Sequence, residues 1–290
     1  MASGFVMVNA IAMFFVEAGQ AGLANTAGLG NRALAAESGV SNLPGAESRL
    51  GVPVVYVHGN TGSSIWFSLV MDVPGCHTVA LDMPNFGQSS PLEGNISIER
   101  YAAYVAGFMD AKGLQGAVVV GHSLGGCVVQ ALALERPDLV KAMVLVDSGA
   151  PNGLVTPKER YSAIELMRTN RTVLEQALRA VVPTLKNDEL FKAIVDDAQK
   201  MAQPAWIGNA EALSRFDITN RCAAYKGPVL ILRGTLDPII TADMAETTAK
   251  AYPGARLVTL EGVGHSVIVE QPDIFVRLLS EFVEEHVAAQ

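Results

Sequence analysis

From Val52 onward, short runs of consecutive apolar residues alternate with segments whose apolar residues recur every three or four positions. The short runs are Val52–Val57, His77–Leu81, Ala117–Val120, Ala142–Val146, Val229–Leu232 and Arg256–Leu260. Continuous apolar, β-branched stretches of this length predict strands of a parallel sheet covered on both faces. Between them, Ile98, Tyr101, Val105 and Phe108 fall at helical spacing behind Ser97, a good N-cap. Leu124–Glu135 predicts a second helix, stopped by Pro137. Pro272–Val287 places Ile274, Phe275, Leu278, Leu279, Phe282 and Val283 on one helical face.

Two regions break this rhythm. Near the start, Phe5–Val16 is apolar, but no Lys or Arg precedes it, and the first basic residue is Arg32. A secretory signal wants a positive leading region, and the run is too short to span a bilayer. It reads instead as two strands, Phe5–Val8 and Ala12–Glu17, with Asn9 and Ala10 near the turn. Asn tolerates the left-handed backbone of a tight hairpin, whereas Ala in the second turn position is a poor choice. With the hairpin, the alternation predicts a doubly wound, mostly parallel α/β sheet of eight strands. Residues 20–51, rich in Ala, Gly, Asn and Ser, predict a long surface insertion with a short helix around Arg32–Glu37.

The second break runs from Pro151 to Arg221, where no strand pattern occurs. Thr156-Pro157-Lys158-Glu159 has the form of a capping box with Pro at the first helical position, and Thr172–Glu175 repeats the box. Asn187 and Gln203-Pro204 open two further helical stretches. The chain therefore divides into a core, 1–150 and 222–290, and a helical cap of about four helices, 151–221.

Composition narrows the function. Half the residues are hydrophobic and 17% are charged, which excludes a disordered chain. The net charge of -8 and the lack of a long basic run disfavour a nucleic-acid partner. Cys76, Cys127 and Cys222 form no CxxC pair, so neither a zinc site nor a redox motif is expected. The low, odd count fits a reducing cytoplasm, and no membrane partner is expected.

The chemistry centres on Val118-Val119-Val120-Gly121-His122-Ser123-Leu124-Gly125-Gly126. A predicted strand runs into GxSxG and a helix follows at once, the context a nucleophile elbow requires. Small residues on either side let the turn close, so Gly121 and Gly125 suit Ser123 as nucleophile. A Gly-rich strand-to-helix turn without chemistry would carry the same five residues more rarely in this context.

Serine needs a base, and the chain has five histidines. His58 ends a strand, His77 begins one away from the expected site, and His286 lies in the last helix. His122 adjoins the nucleophile, so its side chain is expected to point elsewhere. His265, in Gly262-Val263-Gly264-His265-Ser266 after the last strand, is the candidate base. Asp237, after the strand Val229–Leu232, is the candidate orienting acid, with Asp147 as competitor. The oxyanion needs two N–H donors, and the amides of Leu124 and Asn60 are the candidates, with Thr61 as the second choice in that loop.

These motifs resemble the α/β-hydrolase superfamily, in its branch with a helical cap. The matching pieces are HGNTG at 58–62, DMPNFGQS at 82–89, GHSLGG at 121–126, RGTLDP at 233–238 and GVGHS at 262–266. The resemblance implies that residues 151–221 cover the active site and that the 82–89 turn shapes its floor, Asn85 standing where glycine is common. The insertion at 20–51 departs from the family, whose members join these strands by a short loop.

His58-Gly59-Asn60, with Ser63, Ser64 and Trp66, also resembles the haloalkane dehalogenases. Their nucleophile is an aspartate, and a halide-binding Trp follows it where this chain has Leu124. Serine attack on an alkyl halide would leave an ether that water cannot easily cleave. Serine suits an acyl centre, so hydrolysis of a small to medium apolar carboxylic ester is expected, with Trp66, Phe86 and Trp206 as substrate-binding candidates. A small molecule is the expected partner, and no metal or organic cofactor is implied. The same triad also serves lactonases, hydrolases of a C–C bond β to a carbonyl and cofactor-free perhydrolysis, and the fold serves ligand receptors.

Overall fold

A computed structural model of the chain describes residues 1–19 and 51–287. The predicted 20–51 insertion and the helix around Arg32–Glu37 fall almost entirely outside the described residues.

The chain opens with a hairpin of β1 (Ala2–Val8) and β2 (Ile11–Ala18). Val8 pairs with Ile11, so Asn9 and Ala10 are the two turn residues, with φ of 46° and 67°. That is the geometry a two-residue hairpin demands, and Ala10 adopts it against its own steric preference.

The remaining strands are β3 (Val52–Val57), β4 (Cys76–Leu81), β5 (Ala117–His122), β6 (Val140–Val146), β7 (Val229–Gly234) and β8 (Arg256–Leu260). They form an eight-stranded sheet in the order β1-β2-β4-β3-β5-β6-β7-β8. β2 runs antiparallel to β1 and β4, and all later pairs are parallel. Every residue of β5 is buried, so both faces of the central sheet are covered. β5 runs two residues past its apolar pattern, because Gly121 and His122 still pair with Leu145 and Val146. A backbone ladder needs no side-chain hydrophobicity.

The covering helices are α1 (Ile98–Lys112) and α2 (Leu124–Glu135) between strands, with four more after β6 to be placed below and α7 (Ala242–Ala251) after β7. Ser97 caps α1 by accepting from the Arg100 N–H. A short turn, α8 (Val267–Glu270), and a long helix, α9 (Pro272–His286), close the chain. The cysteines are free and buried. No helix among the described residues is long and apolar enough to cross a membrane.

Between β6 and β7 lies an inserted helical segment of α3 (Tyr161–Thr169), α4 (Arg171–Val181), α5 (Asp188–Ala198) and α6 (Gln203–Arg215). α5 and α6 begin where their caps predict, Asn187 accepting from the Leu190 N–H. The two threonine boxes do not form. Thr156 is tied through its own N–H to Ser214 Oγ, leaving 158–160 as a single 3-10 turn ahead of α3. Asn170, a stronger cap than Thr172, takes the Val173 N–H and starts α4 earlier.

Candidate active site

Ser123 is the single residue between β5 and α2, at φ 54° and ψ −119°. A non-glycine residue held there costs about 1–3 kcal/mol, so its surroundings must impose the conformation. The Ser123 N–H donates to the Val146 carbonyl at 2.9 Å, and its own carbonyl accepts from Gly126 at 2.9 Å. A Cβ on Gly125 would lie 2.3 Å from the Val57 carbonyl oxygen and 2.4 Å from that of His58. One on Gly121 would lie 2.6 Å from the Gly125 oxygen. Both glycines are therefore demanded by backbone packing against β3 and within the elbow itself.

His265 sits in the loop between β8 and α8, and its Nδ1 donates to Asp237 Oδ2 at 2.8 Å. Asp237 Oδ1 accepts from the N–H groups of Ile239 and Ile240, at 2.7 and 3.1 Å. Burial pushes the Asp237 carboxyl up, but the imidazole hydrogen bond, its charge and the two amides outweigh it, so Asp237 lies below the usual carboxylate range. The loop around His265 is tied on several sides. The His265 N–H donates to the Val181 carbonyl at the end of α4, at 2.7 Å. Glu270 accepts from Gly264, Ser266 and Thr184 N–H groups, each at 3.1 Å, and from the Thr184 hydroxyl at 2.6 Å.

Asp147, the competing acid, is placed beside this pair rather than on the histidine. Its Oδ1 accepts from the Gly234 N–H at 2.9 Å, and its Oδ2 has no donor among the described residues. Burial first, then the neighbouring Asp237 charge, raise its carboxyl well above the ordinary range. A proton on Asp147 converts the orphan acceptor into a donor within reach of Asp237. Asp147, Asp237 and His265 have donor atoms within 4.8 Å of one another, the donor types of a metal site. Here His265 Nδ1, both Asp237 oxygens and one Asp147 oxygen already have protein partners.

His122 does not point away from the site, contrary to expectation. Its ring stacks on Trp66 at 5.3 Å and lies 5.1 Å from the His265 ring. Nε2 donates to the His265 carbonyl at 2.9 Å, leaving Nδ1 bare and without a partner among the described residues. Burial, then the nearby His265, lower its pKa to about 3, so it stays neutral. The elbow's backbone turn fixes where Ser123 points but leaves its neighbour free to buttress the His265 loop.

Asn60 and Thr61 follow β3, Thr61 with φ 55°. Leu124 is the first residue of α2, so its N–H has no intrahelical acceptor. Ser123, His265, Asn60, Thr61 and Trp66 line one cavity of about 250 Å³. The inserted segment closes it with Met167 from α3 and with Leu174, Ala177, Leu178 and Val181 from α4. Those α4 residues recur at helical spacing, the signal that could have singled them out. Two substrate-binding candidates lie elsewhere. Trp206 is buried inside the insertion with its indole N–H on the Met201 carbonyl, and Phe86 packs edge-on against His58 at 4.7 Å. Neither is among the residues lining the cavity.

The 82–89 turn, expected at the floor of the site, supplies no residue to the cavity lining. Asn85 has φ 80°, which explains why glycine suits that position. Asp82 accepts from the Ser64 N–H at 2.7 Å and the Gln88 N–H at 2.8 Å, tying the turn to the segment that carries Trp66.

A sequence profile of the alpha/beta hydrolase fold matches residues 52–272. The chain is 29% identical over 242 residues to the dihydrolipoyllysine-residue acetyltransferase component of the acetoin cleaving system of Cupriavidus necator. That match covers 79% of this chain and 62% of the relative, less than two thirds of its length. It is 28% identical over 254 residues to the sn-1-specific diacylglycerol lipase ABHD11 of Xenopus laevis, covering 82% and 81%. The solved enol-lactonase from Burkholderia xenovorans LB400 superposes with a TM-score of 0.79, over 97% of this chain and 100% of that one, at 20% identity.

Proposed function

The chain belongs to the α/β-hydrolase fold family, and from that premise we propose that it is a serine hydrolase cleaving a small to medium apolar carboxylic ester through an acyl-enzyme on Ser123. The observation that carries this reading is the sharing of one cavity by Ser123, by His265 with its bond to Asp237, and by the Asn60 loop.

His265 takes the Ser123 proton as Oγ attacks the ester carbonyl. The low-lying Asp237 stays ionised and stabilises the imidazolium, while a neutral Asp147 spares it a second negative charge at close range. The N–H groups of Leu124 and Asn60 hold the oxyanion, helped by the positive end of the α2 dipole. His265 then protonates the departing alcohol and activates the water that frees the acid. The mainly apolar lining from α3 and α4 selects an apolar acyl or alkyl group, Trp66 contributes the facing aromatic surface, and the inserted helices serve as the cap.

Labelling with a fluorophosphonate tests the reading, followed by a panel of esters, lactones and vinylogous diketones. Covalent modification at Ser123 with turnover of esters is expected. An unmodified Ser123, or hydrolysis undiminished in Ser123→Ala, rejects it, and turnover confined to diketones replaces the ester by a C–C bond.

A further inference from the structure

A buried chain of hydrogen bonds leads from α6 to the Asn60 loop. The Leu92 N–H donates to Asn85 Oδ1 at 2.7 Å. Because that amide can only donate, it sets the Asn85 side chain, whose Nδ2 donates to the Tyr101 hydroxyl at 3.0 Å. The Tyr101 O–H is thereby turned to Asn209 Oδ1 at 2.9 Å, and Asn209 Nδ2 donates to Asn60 Oδ1 at 2.8 Å. Each link fixes the orientation of the next. Asn85, Tyr101 and Asn209 are buried and come from the 82–89 turn, α1 and α6 respectively. Asn60 is gripped a second time, its carbonyl accepting from the Thr61 hydroxyl at 2.6 Å. The α6 end is anchored too, the Ala202 N–H donating to the Asn85 carbonyl at 2.8 Å.

Resting on the reading above, we propose that Asn209 is a positioning residue for the oxyanion hole. Through its amide, backed by Tyr101 and Asn85, it holds the Asn60 backbone so that its N–H meets the developing oxyanion. The docking of α6 onto the core thus completes the hole. A satisfied buried network of this kind rigidifies what it touches, whereas an apolar substitute could serve stability alone almost as well.

The test compares steady-state hydrolysis of p-nitrophenyl butyrate by the full chain, Asn209→Leu, Tyr101→Phe, Asn60→Ala and the Asn60→Ala/Asn209→Leu pair, with thermal midpoints alongside. Asn209→Leu should lower kcat about tenfold, less than the loss of a whole oxyanion donor, with KM held within about twofold. The double variant should be no slower than Asn60→Ala, because both substitutions break the same link. An unchanged kcat, or losses that multiply in the pair, overturns the proposal. If Asn209→Leu does not fold, Tyr101→Phe decides: a lower kcat at constant KM supports the proposal, and an unchanged kcat or a second failure to fold overturns it. Wild-type protein inert toward every acyl probe sinks the hydrolase reading and the proposal together. An active wild type with undiminished variants sinks the proposal alone.

Discussion

Ser123 and His265 reach the same cavity from loops built in different ways. The serine turn is welded to the sheet: its N–H and carbonyl are taken up by Val146 and Gly126, and Gly125 is pressed onto the carbonyls of Val57 and His58. The histidine loop is held by side chains and by the insertion: Glu270 collects three backbone N–H groups and the Thr184 hydroxyl, Val181 takes the His265 N–H, and His122 supports its carbonyl. Ser123 is placed by backbone contacts that the glycines of its turn permit. His265, the proposed base, is placed by particular residues, and so is open to adjustment one contact at a time.

The sharpest way to break the comparison is at the nucleophile. Ser123→Ala should lower kcat by about 10³-fold or more without loss of folding. Ser123→Gly should abolish turnover equally while raising stability by about 1 kcal/mol, since glycine releases the positive-φ cost. Parallel kinetics and thermal melts check both, and a melting point lowered by glycine would remove the case for strain at the elbow. Next, Gly125→Ala should destabilise the whole chain by about 3 kcal/mol or more, because its Cβ meets rigid backbone rather than movable side chains. A chemical denaturation curve close to wild type would show that the elbow is not welded.

At the base loop the expected losses are smaller and fall on rate. Glu270→Gln replaces one acceptor oxygen by an amide that cannot serve the same N–H groups, and kcat should drop about tenfold with little change in KM. Full activity would mean that the loop holds its shape without Glu270, and the contrast with the elbow would vanish. A further effect concerns acid stability. His122 is neutral with a pKa of about 3, below its unfolded value of 6.5, so the unfolded chain binds more protons between those limits. Stability should therefore fall as pH drops below about 6.5, by up to about 1.4 kcal/mol per unit from this group. His122→Gln, which keeps a donor for the His265 carbonyl, should flatten that slope in melts taken from pH 7 to pH 5.

Much of this architecture could be read before any coordinates. β3 ends where its apolar pattern does, because a parallel strand buried on both faces leaves little room for polar residues, and the bounds of α2 and of the edge strand β8 also match. The glycines of the elbow were legible because a motif plus a strand-to-helix junction implies a steric demand. The inserted helices were countable, and α5 and α6 start where their signals fall, but the starts of α3 and α4 were not legible, since Asn170 and Thr172 compete as caps and only packing decides. Aromatic residues announce burial without saying against what, so Trp206 and Phe86 resemble pocket residues in sequence as closely as Trp66 does. The direction of His122 and the Asn209 link depend on contacts across more than a hundred positions, which no local pattern encodes.

α4 does two things with one short piece of chain: its inner face lines the cavity, and its final carbonyl holds the His265 backbone. In the proposed mechanism, selectivity and turnover are consequently tied. If the chain works as proposed, a roomier cavity made at Leu174 or Leu178 should let α4 settle inward and shift His265 with it, so variants that admit bulkier esters should also lose speed on the small ones. An engineer wanting a broader substrate range without that penalty would work on Met167 of α3, which lines the same cavity and makes no hydrogen bond to the His265 loop among the described residues.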